Sequence, residues 1–273
     1  MIVFPPAKIN LGLSVLRKRA DGFHDIESVL MPIRISDALE VIVDPTLPPG
    51  WVEFSSSGIP IPGAPEANLC VKAIELLKRK RSIPGVRMHL HKVIPTGAGL
   101  GGGSSDGAHA LRLLNRLLDL QLEEAVLLAL ATELGSDCPF FLSDRPQLVQ
   151  GRGERLTPIA LDLSGWWLLL ANPGIHVGTA EVYSNTRPND RTTNISEALA
   201  EPVERWQGAV KNDMERYVFT AYPPVLQLRD ALLAHGATYA AMSGSGSSVF
   251  GLFRNEPSTE LHNGTGQVWK VPL

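Results

Sequence analysis

The stretch 95-PTGAGLGGGSSDGAHAL-111 carries six glycines between Gly97 and Gly107 and then runs into alanine and leucine at helical spacing. Just before it, 86-VRMHLHKVI-94 alternates apolar and polar side chains, the pattern of a strand with one buried face. The expected order is therefore strand, glycine-rich loop, helix, with the helix running from about Ser105 to Leu118. Glycine adopts backbone angles that a Cβ forbids and lets main-chain N–H groups approach a ligand closely. A helix start adds unpaired N–H donors and partial positive charge. Together these suit phosphate oxygens. Ser104 and Ser105 place hydroxyls at the same point, suited to phosphate or to a magnesium ion. The loop is not a Walker A sequence, because no Gly-Lys-Ser/Thr follows, and the preceding strand opens no repeated βαβ unit of the dinucleotide-binding kind. A plain turn capped by Ser or Asp needs one or two glycines, not a cluster. The loop reads as a phosphate site.

The rest of the composition narrows the class. At 273 residues, with 44% hydrophobic and 19% charged residues, the chain is an ordinary globular protein of one large domain or two small ones. A net charge of -3 argues against a nucleic-acid surface. The basic run Lys78–Arg81 reads as cations at the negative end of a helix dipole. Cys70 and Cys138 are too few and too scattered for a disulfide framework or a zinc site, so no metal-ligand set is expected. The opening "MIVFPPAKIN" has no charged leader, and the apolar run 166–171 is far below membrane-spanning length. The expectation is a cytoplasmic protein with no membrane partner. Its oligomeric state is not readable.

Strands are expected at 9–16, 38–44, "WVEF" and 248–253, and "WWLLLANPG" reads as a buried strand. Helices are expected from Asn68 to about Lys80, over "EEAVLLALATEL", and around 179–183, 195–206 and 224–235. The tail after Asn255 is expected to be poorly ordered. Strands and helices mix without strict alternation, so the fold class is α+β. The turn-rich texture after Leu142 suggests a boundary near 150–160, giving domains 1–152 and 153–273.

At this point the sequence resembles a known family. "PTGAGLGGGSSDGA" is similar to the phosphate loop of the GHMP kinases, "PPAKINLGLSVL" to their first motif, and "AAMSGSGSSVFGLF" to their third. The resemblance implies a two-domain GHMP kinase fold, with a ribosomal protein S5 domain 2-like N-terminal domain and a ferredoxin-like C-terminal domain. It also implies ATP and Mg2+ as cofactors. "RADGFHDIESV", "LGSDCPFFL" and "GRGERLTP" resemble members whose small-molecule substrate is a cytidine-diphosphate-linked methylerythritol, phosphorylated on its 2-hydroxyl for non-mevalonate isoprenoid synthesis. A homoserine or mevalonate kinase-like enzyme and a catalytically silent nucleotide-binding module are the alternatives.

By the same resemblance, Asp137 and Lys8 form the catalytic pair. Alone, Asp137 would read as a cap or turn residue and Lys8 as a solvated strand-end lysine. The nucleotide falls to Pro95, Gly97, Gly99, Leu100, Gly101, Gly102, Gly103, Ser104 and Ser105, with Asn68 and Lys92 near the adenosine. Asn10, two residues from Lys8 and so on the same strand face, is placed to bond the substrate, as is Thr179 beside the catalytic pair. Alone, Thr179 reads as the N-cap of the helix that follows. The cytosine slot is implied to be walled by Phe23 and Tyr183, with His24 reading the base edge. The family pattern has tyrosine where this chain has Phe23, so a hydroxyl contact is lost there. Asp106 suits a helix dipole yet opposes a nearby triphosphate; magnesium ligand, acceptor contact and cap all stay open.

Overall fold

The alternating segment 86–94 does form a strand ahead of the glycine loop, and the computed structural model describes residues 1–188, 194–261 and 266–273. In chain order the strands are β1 (Ile2–Val3), β2 (Pro6–Lys18), β3 (His24–Ser36), β4 (Ala38–Val43), β5 (Val52–Gly58), β6 (Val86–Lys92), β7 (Gln147–Gly151), β8 (Arg155–Pro158), β9 (Trp167–Asn172), β10 (Tyr239–Met242), β11 (Val249–Phe253) and β12 (Gln267–Pro272). The helices are α1 (Leu69–Lys78), α2 (Gly102–Leu117), α3 (Glu124–Leu134), α4 (Thr179–Asn185), α5 (Ile195–Ala200), α6 (Glu215–Ala221) and α7 (Pro223–Ala234). The chain forms two compact units. One holds Met1–Ala7, Arg34–Thr96 and Gly101–Asp144; the other holds Lys8–Ile33, Gly97–Leu100 and Arg145–Leu273.

In the first unit the sheet order is β1-β4-β6-β5. Antiparallel pairing sets Leu39 opposite Leu90 and Val41 opposite Met88, all buried, so one face of the sheet is core. Strand β5 runs parallel to β6, which requires the crossover that α1 supplies. Helices α1, α2 and α3 pack on one another, contributing Ile74, Leu77, Leu111 and Leu114 to the interior. Each such leucine stabilises by roughly 1.5–3 kcal/mol when fully buried. Lys92 takes the next place in the buried phase after Val86, Met88 and Leu90.

The second unit has two sheets. One has the order β2-β3-β7-β8, closed by the β7–β8 hairpin around residues 152–154. The other, β10-β11-β9-β12, is antiparallel throughout, the strand order expected of a ferredoxin-like domain. Among the described residues no helix lies between β11 and β12. Its core joins Leu169 and Ala171 of β9 to Val218 of α6, Val225, Leu228 and Leu232 of α7, and Val249 of β11.

Several expectations need correction. Helix α2 begins at Gly102, three residues before the predicted start. Glycine's poor helix propensity argued for the later start, but Gly102 is pressed so close to Ile94 that a Cβ would lie 2.8 Å from its side chain. The predicted helix 195–206 breaks after Ala200, because the residue before Pro202 is held extended; a short 3-10 turn, Val203–Arg205, follows. The tail after Asn255 returns as β12, pairing with β9 from Gln267↔Asn172 to Pro272↔Trp167; within it, residues 262–265 lie outside the described residues. Strand β3 was not anticipated. Asp25 and Glu27 interrupt its apolar pattern, and tertiary partners satisfy both: Arg17 and Arg19 for Asp25, Ile195 N and Gln150 for Glu27.

Candidate active site

The glycine loop is built from alternating backbone hands. Gly97, Gly99 and Gly101 have φ of 64°, 77° and 68°, the left-handed region, with Ala98 and Leu100 between them. Such alternation turns successive amides toward one concave side, a shape that takes anions. Gly101 is the N-cap of α2 and no side chain caps that helix. Among the described residues, no N–H group from Gly97 to Ser104 donates to another protein group. Gly103 sharpens the point. It has no left-handed φ and a Cβ there would meet nothing within 4 Å, so nothing in the protein itself asks for glycine.

The loop's carbonyls are bound instead. Ala98 O accepts from Ser248 N (3.2 Å) and Leu100 O from Lys8 N (3.0 Å). Gly99 O accepts from Lys8 Nζ and from Ser243 Oγ, both at 2.8 Å. Lys8 Nζ also donates to Asn10 Oδ1 (2.6 Å), and Asn10 Nδ2 donates to Ser28 Oγ (2.8 Å). The three stretches singled out in the sequence therefore meet in the second unit, at Lys8–Asn10, Gly99 and Ser243. Lys8 and Asn10 are both buried. Asn10, expected to face substrate, has its carboxamide engaged in orienting Lys8. Packing is tight: a Cβ on Gly99 would stand 2.0 Å from Ser243 O, and one on Gly244 would stand 3.3 Å from Lys8 Nζ. Ser243 was not among the expected site residues, although its motif was.

In the first unit, Ser105 is buried, with its N–H on Gly101 O (2.9 Å), and Ser104 is half-buried. Asp137, half-buried, lies in the turn between α3 and the 3-10 segment Pro139–Leu142. Its neighbour Cys138 is pushed up to about 12 by burial, against the pull of a hydrogen bond with Ser104 and with a contribution from the Asp137 charge. Both cysteines are free and buried. Asn68 caps α1, its Oδ1 accepting from Cys70 N at 2.8 Å. Pro95 is half-buried and Leu100 buried. Lys92, expected near an adenosine, is 1% exposed and paired with Asp37 and, at 2.7 Å, with Asp106. Burial works against its charge, but the two carboxylates hold its pKa above the ordinary value. Burial pushes Asp106 up to about 7, opposed by Lys92 and helped by Asp37. Asp106, left open by the sequence, is an ion-pair partner.

The expected base slot lies in the second unit. Phe23 is 50% exposed, with the Arg152 guanidinium 4.3 Å from its ring centre. The His24 and Tyr183 rings are stacked on each other at 5.2 Å and 20°. Burial, with Lys18 nearby, lowers the His24 pKa, which favours the neutral ring with one donor and one acceptor. Thr179 is not the N-cap of α4; Gly178 is, and the Thr179 hydroxyl bonds Ser245 Oγ at 3.0 Å. The contact of Arg152 with Phe23 was not expected from the sequence, though its "GRGE" turn was quoted.

A fold of this kind around a glycine-rich anion cradle defines a class. The family described as "GHMP kinases N terminal domain" matches residues 68–145 and that described as "GHMP kinases C terminal" matches residues 195–261. The chain belongs to the GHMP kinases. It is 46% identical over 269 residues to the 4-diphosphocytidyl-2-C-methyl-D-erythritol kinase of Cytophaga hutchinsonii, covering 98% of this chain and 97% of that protein. To the enzyme of the same name from Parabacteroides distasonis it is 45% identical, covering 93% and 92%. A crystal structure of 4-(cytidine 5'-diphospho)-2C-methyl-D-erythritol kinase superposes with a TM-score of 0.77 at 33% identity, over 99% of this chain and 98% of that one. The Methanococcus jannaschii mevalonate kinase shares the fold at a TM-score of 0.76 and 13% identity, over 100% and 98%. As a GHMP-family kinase, the chain takes ATP as its phosphoryl donor. Among the described residues no helix is long and apolar enough to cross a membrane.

Proposed function

We propose that this chain transfers the γ-phosphoryl group of ATP to the 2-hydroxyl of 4-diphosphocytidyl-2-C-methyl-D-erythritol. One observation carries the nucleotide half of the reading: the amides of residues 97–104 are unengaged while the carbonyls of residues 98–100 are tied down. Those amides, with the Ser104 and Ser105 hydroxyls, cradle the polyphosphate, and Pro95 and Asn68 lie toward the adenosine. Similarity to the two named relatives over nearly their whole length supports the acceptor.

Asp137 takes the proton from the 2-hydroxyl as its oxygen bonds to the γ-phosphorus and the bond to the β,γ-bridging oxygen breaks, releasing ADP. Phosphoryl transfer has a loose transition state that asks for alignment more than for a strong base, so an ordinary carboxylate suffices. The Lys8 ammonium, oriented by Asn10 and Gly99, balances charge growing on the acceptor oxygen. Thr179 positions the acceptor. Phe23 and Tyr183 supply aromatic faces for the cytosine, and neutral His24 supplies a donor and an acceptor for its edge. The Ser104 and Ser105 hydroxyls would face a Mg2+ ion bound with the nucleotide, which would supply neutralisation of the phosphate charge.

The test is ADP release from ATP and Mg2+ across a panel of acceptors. The cytidine-diphosphate-linked methylerythritol should be turned over, with unlinked methylerythritol, homoserine and mevalonate at least about a hundredfold poorer in kcat/KM. Comparable turnover of mevalonate or homoserine would replace the substrate assignment.

A further inference from the structure

We infer that Lys92, Asp37 and Asp106 are positioning residues that brace the two ends of the glycine-rich loop and so set the direction of its amides. The inference rests on reading that loop as the polyphosphate cradle.

The three side chains come from separate elements of the first unit. Asp37 sits between β3 and β4, Lys92 at the end of β6, and Asp106 in the first turns of α2. Each does a different job. Asp37 Oδ1 accepts from Val93 N (2.6 Å) and Ile94 N (2.9 Å), which fixes the chain as it leaves β6. Its other oxygen accepts from Lys92 Nζ. That ammonium then reaches Asp106 Oδ2 at 2.7 Å, which fixes the helix. The exit from the strand and the entry to the helix are thus tied by one cation, with residues 95–101 spanning the gap between them.

Two features separate a brace from an electrostatic lure for the nucleotide. Two carboxylates against one ammonium leave no positive charge to offer a polyanion. The cluster is also sealed, with the Lys92, Asp37 and Asp106 side chains 1%, 0% and 3% exposed. What it offers instead is fixed distance. Gly102 records how tight the fit is, since a Cβ there would lie 3.0 Å from Lys92 Nζ. Asp106 Oδ1 is buried without a hydrogen-bond partner among the described residues, so Oδ2 alone carries the tie from the helix to Lys92.

The test compares Asp106→Asn with the double variant Lys92→Met/Asp106→Asn. The amide of Asp106→Asn still accepts from Lys92, so its KM for ATP should stay within about twofold of the parent. The double variant breaks the brace and leaves no second carboxylate facing Asp37, whose Oδ1 keeps its two backbone donors while its Oδ2 loses the ammonium. Its KM for ATP and its Kd for a non-hydrolysable ATP analogue should rise about tenfold, with kcat and the acceptor KM changed less than about threefold. Thermal melts confirm that the compared proteins are folded. A folded double variant with the parent's ATP affinity would overturn the inference. So would an equal loss in Asp106→Asn alone, which would make the effect one of charge, or an equal shift in the acceptor KM, which would make it general loosening. Should the parent itself fail to bind the analogue, the cradle reading falls instead.

Discussion

From Ala98 to Leu100 the glycine-rich stretch is anchored by its carbonyls, and from Gly101 to Ser104 it presents amides that the protein leaves alone. The two halves look alike in sequence, Gly-Ala-Gly-Leu followed by Gly-Gly-Gly-Ser, but the reasons for their glycines differ. At Gly99 the reason is internal: the φ is 77° and Ser243 O occupies the space of a side chain. At Gly103 the protein imposes neither condition. Gly99 belongs to the scaffold and Gly103 to the surface. The supports differ too. The carbonyls of the first half are held by two backbone amides, the Ser243 hydroxyl and the Lys8 ammonium, with Glu215 accepting from Met242 N (2.8 Å) just before Ser243; the second rests on a buried cluster of one ammonium and two carboxylates.

If binding lies in the loop, chemistry belongs elsewhere. Asp137→Asn should lower kcat about a thousandfold while the Kd for an ATP analogue stays within a few-fold. Surviving activity would remove Asp137 from its role. The contrast between the halves is tested next. Gly99→Ala should lower stability by about 2 kcal/mol or more through strain and the clash with Ser243, seen as a drop in melting temperature along with lost activity. Gly103→Ala should melt no lower than the parent, alanine being the better helix former, yet bind ATP several-fold more weakly. Equal melting losses in both variants would erase the distinction.

The smallest effect concerns pH. Burial raises Glu215 to about 7, opposed by its hydrogen bond from Met242 and by Arg229. A carboxyl with a raised folded-state pKa holds its proton more tightly when folded. Its stabilising contribution is complete below the unfolded value near 4.5 and is lost as pH climbs through about 7. Glu215→Gln keeps an acceptor for Met242 and should gain on the parent by on the order of 1 kcal/mol per pH unit between pH 5 and 7. Melting curves at pH 5, 6, 7 and 8 measure it, and parallel curves for the two proteins would refute the assignment.

Part of the site was legible for local reasons, and one signal was passed over. Lys92 continues the buried phase Val86, Met88, Leu90, and a charge in that phase must be partnered. The sequence announced a buried ion pair there without naming Asp37 or Asp106. Arg152 beside Phe23 gave no comparable sign, because two residues over a hundred positions apart carry no shared period.

Periodicity, glycine spacing and the order of three motifs sufficed for the α+β class, the strand-loop-helix around residues 86–117 and the phosphate reading. These follow from sterics and hydrogen bonding among neighbours in the chain. Only the folded chain decided that helix α2 starts at Gly102, that the tail closes a sheet as β12, and that residues 8, 10, 28, 99 and 243 share one hydrogen-bond network. Such outcomes depend on which distant groups burial forces together, and a buried polar atom takes its partner from space rather than from sequence.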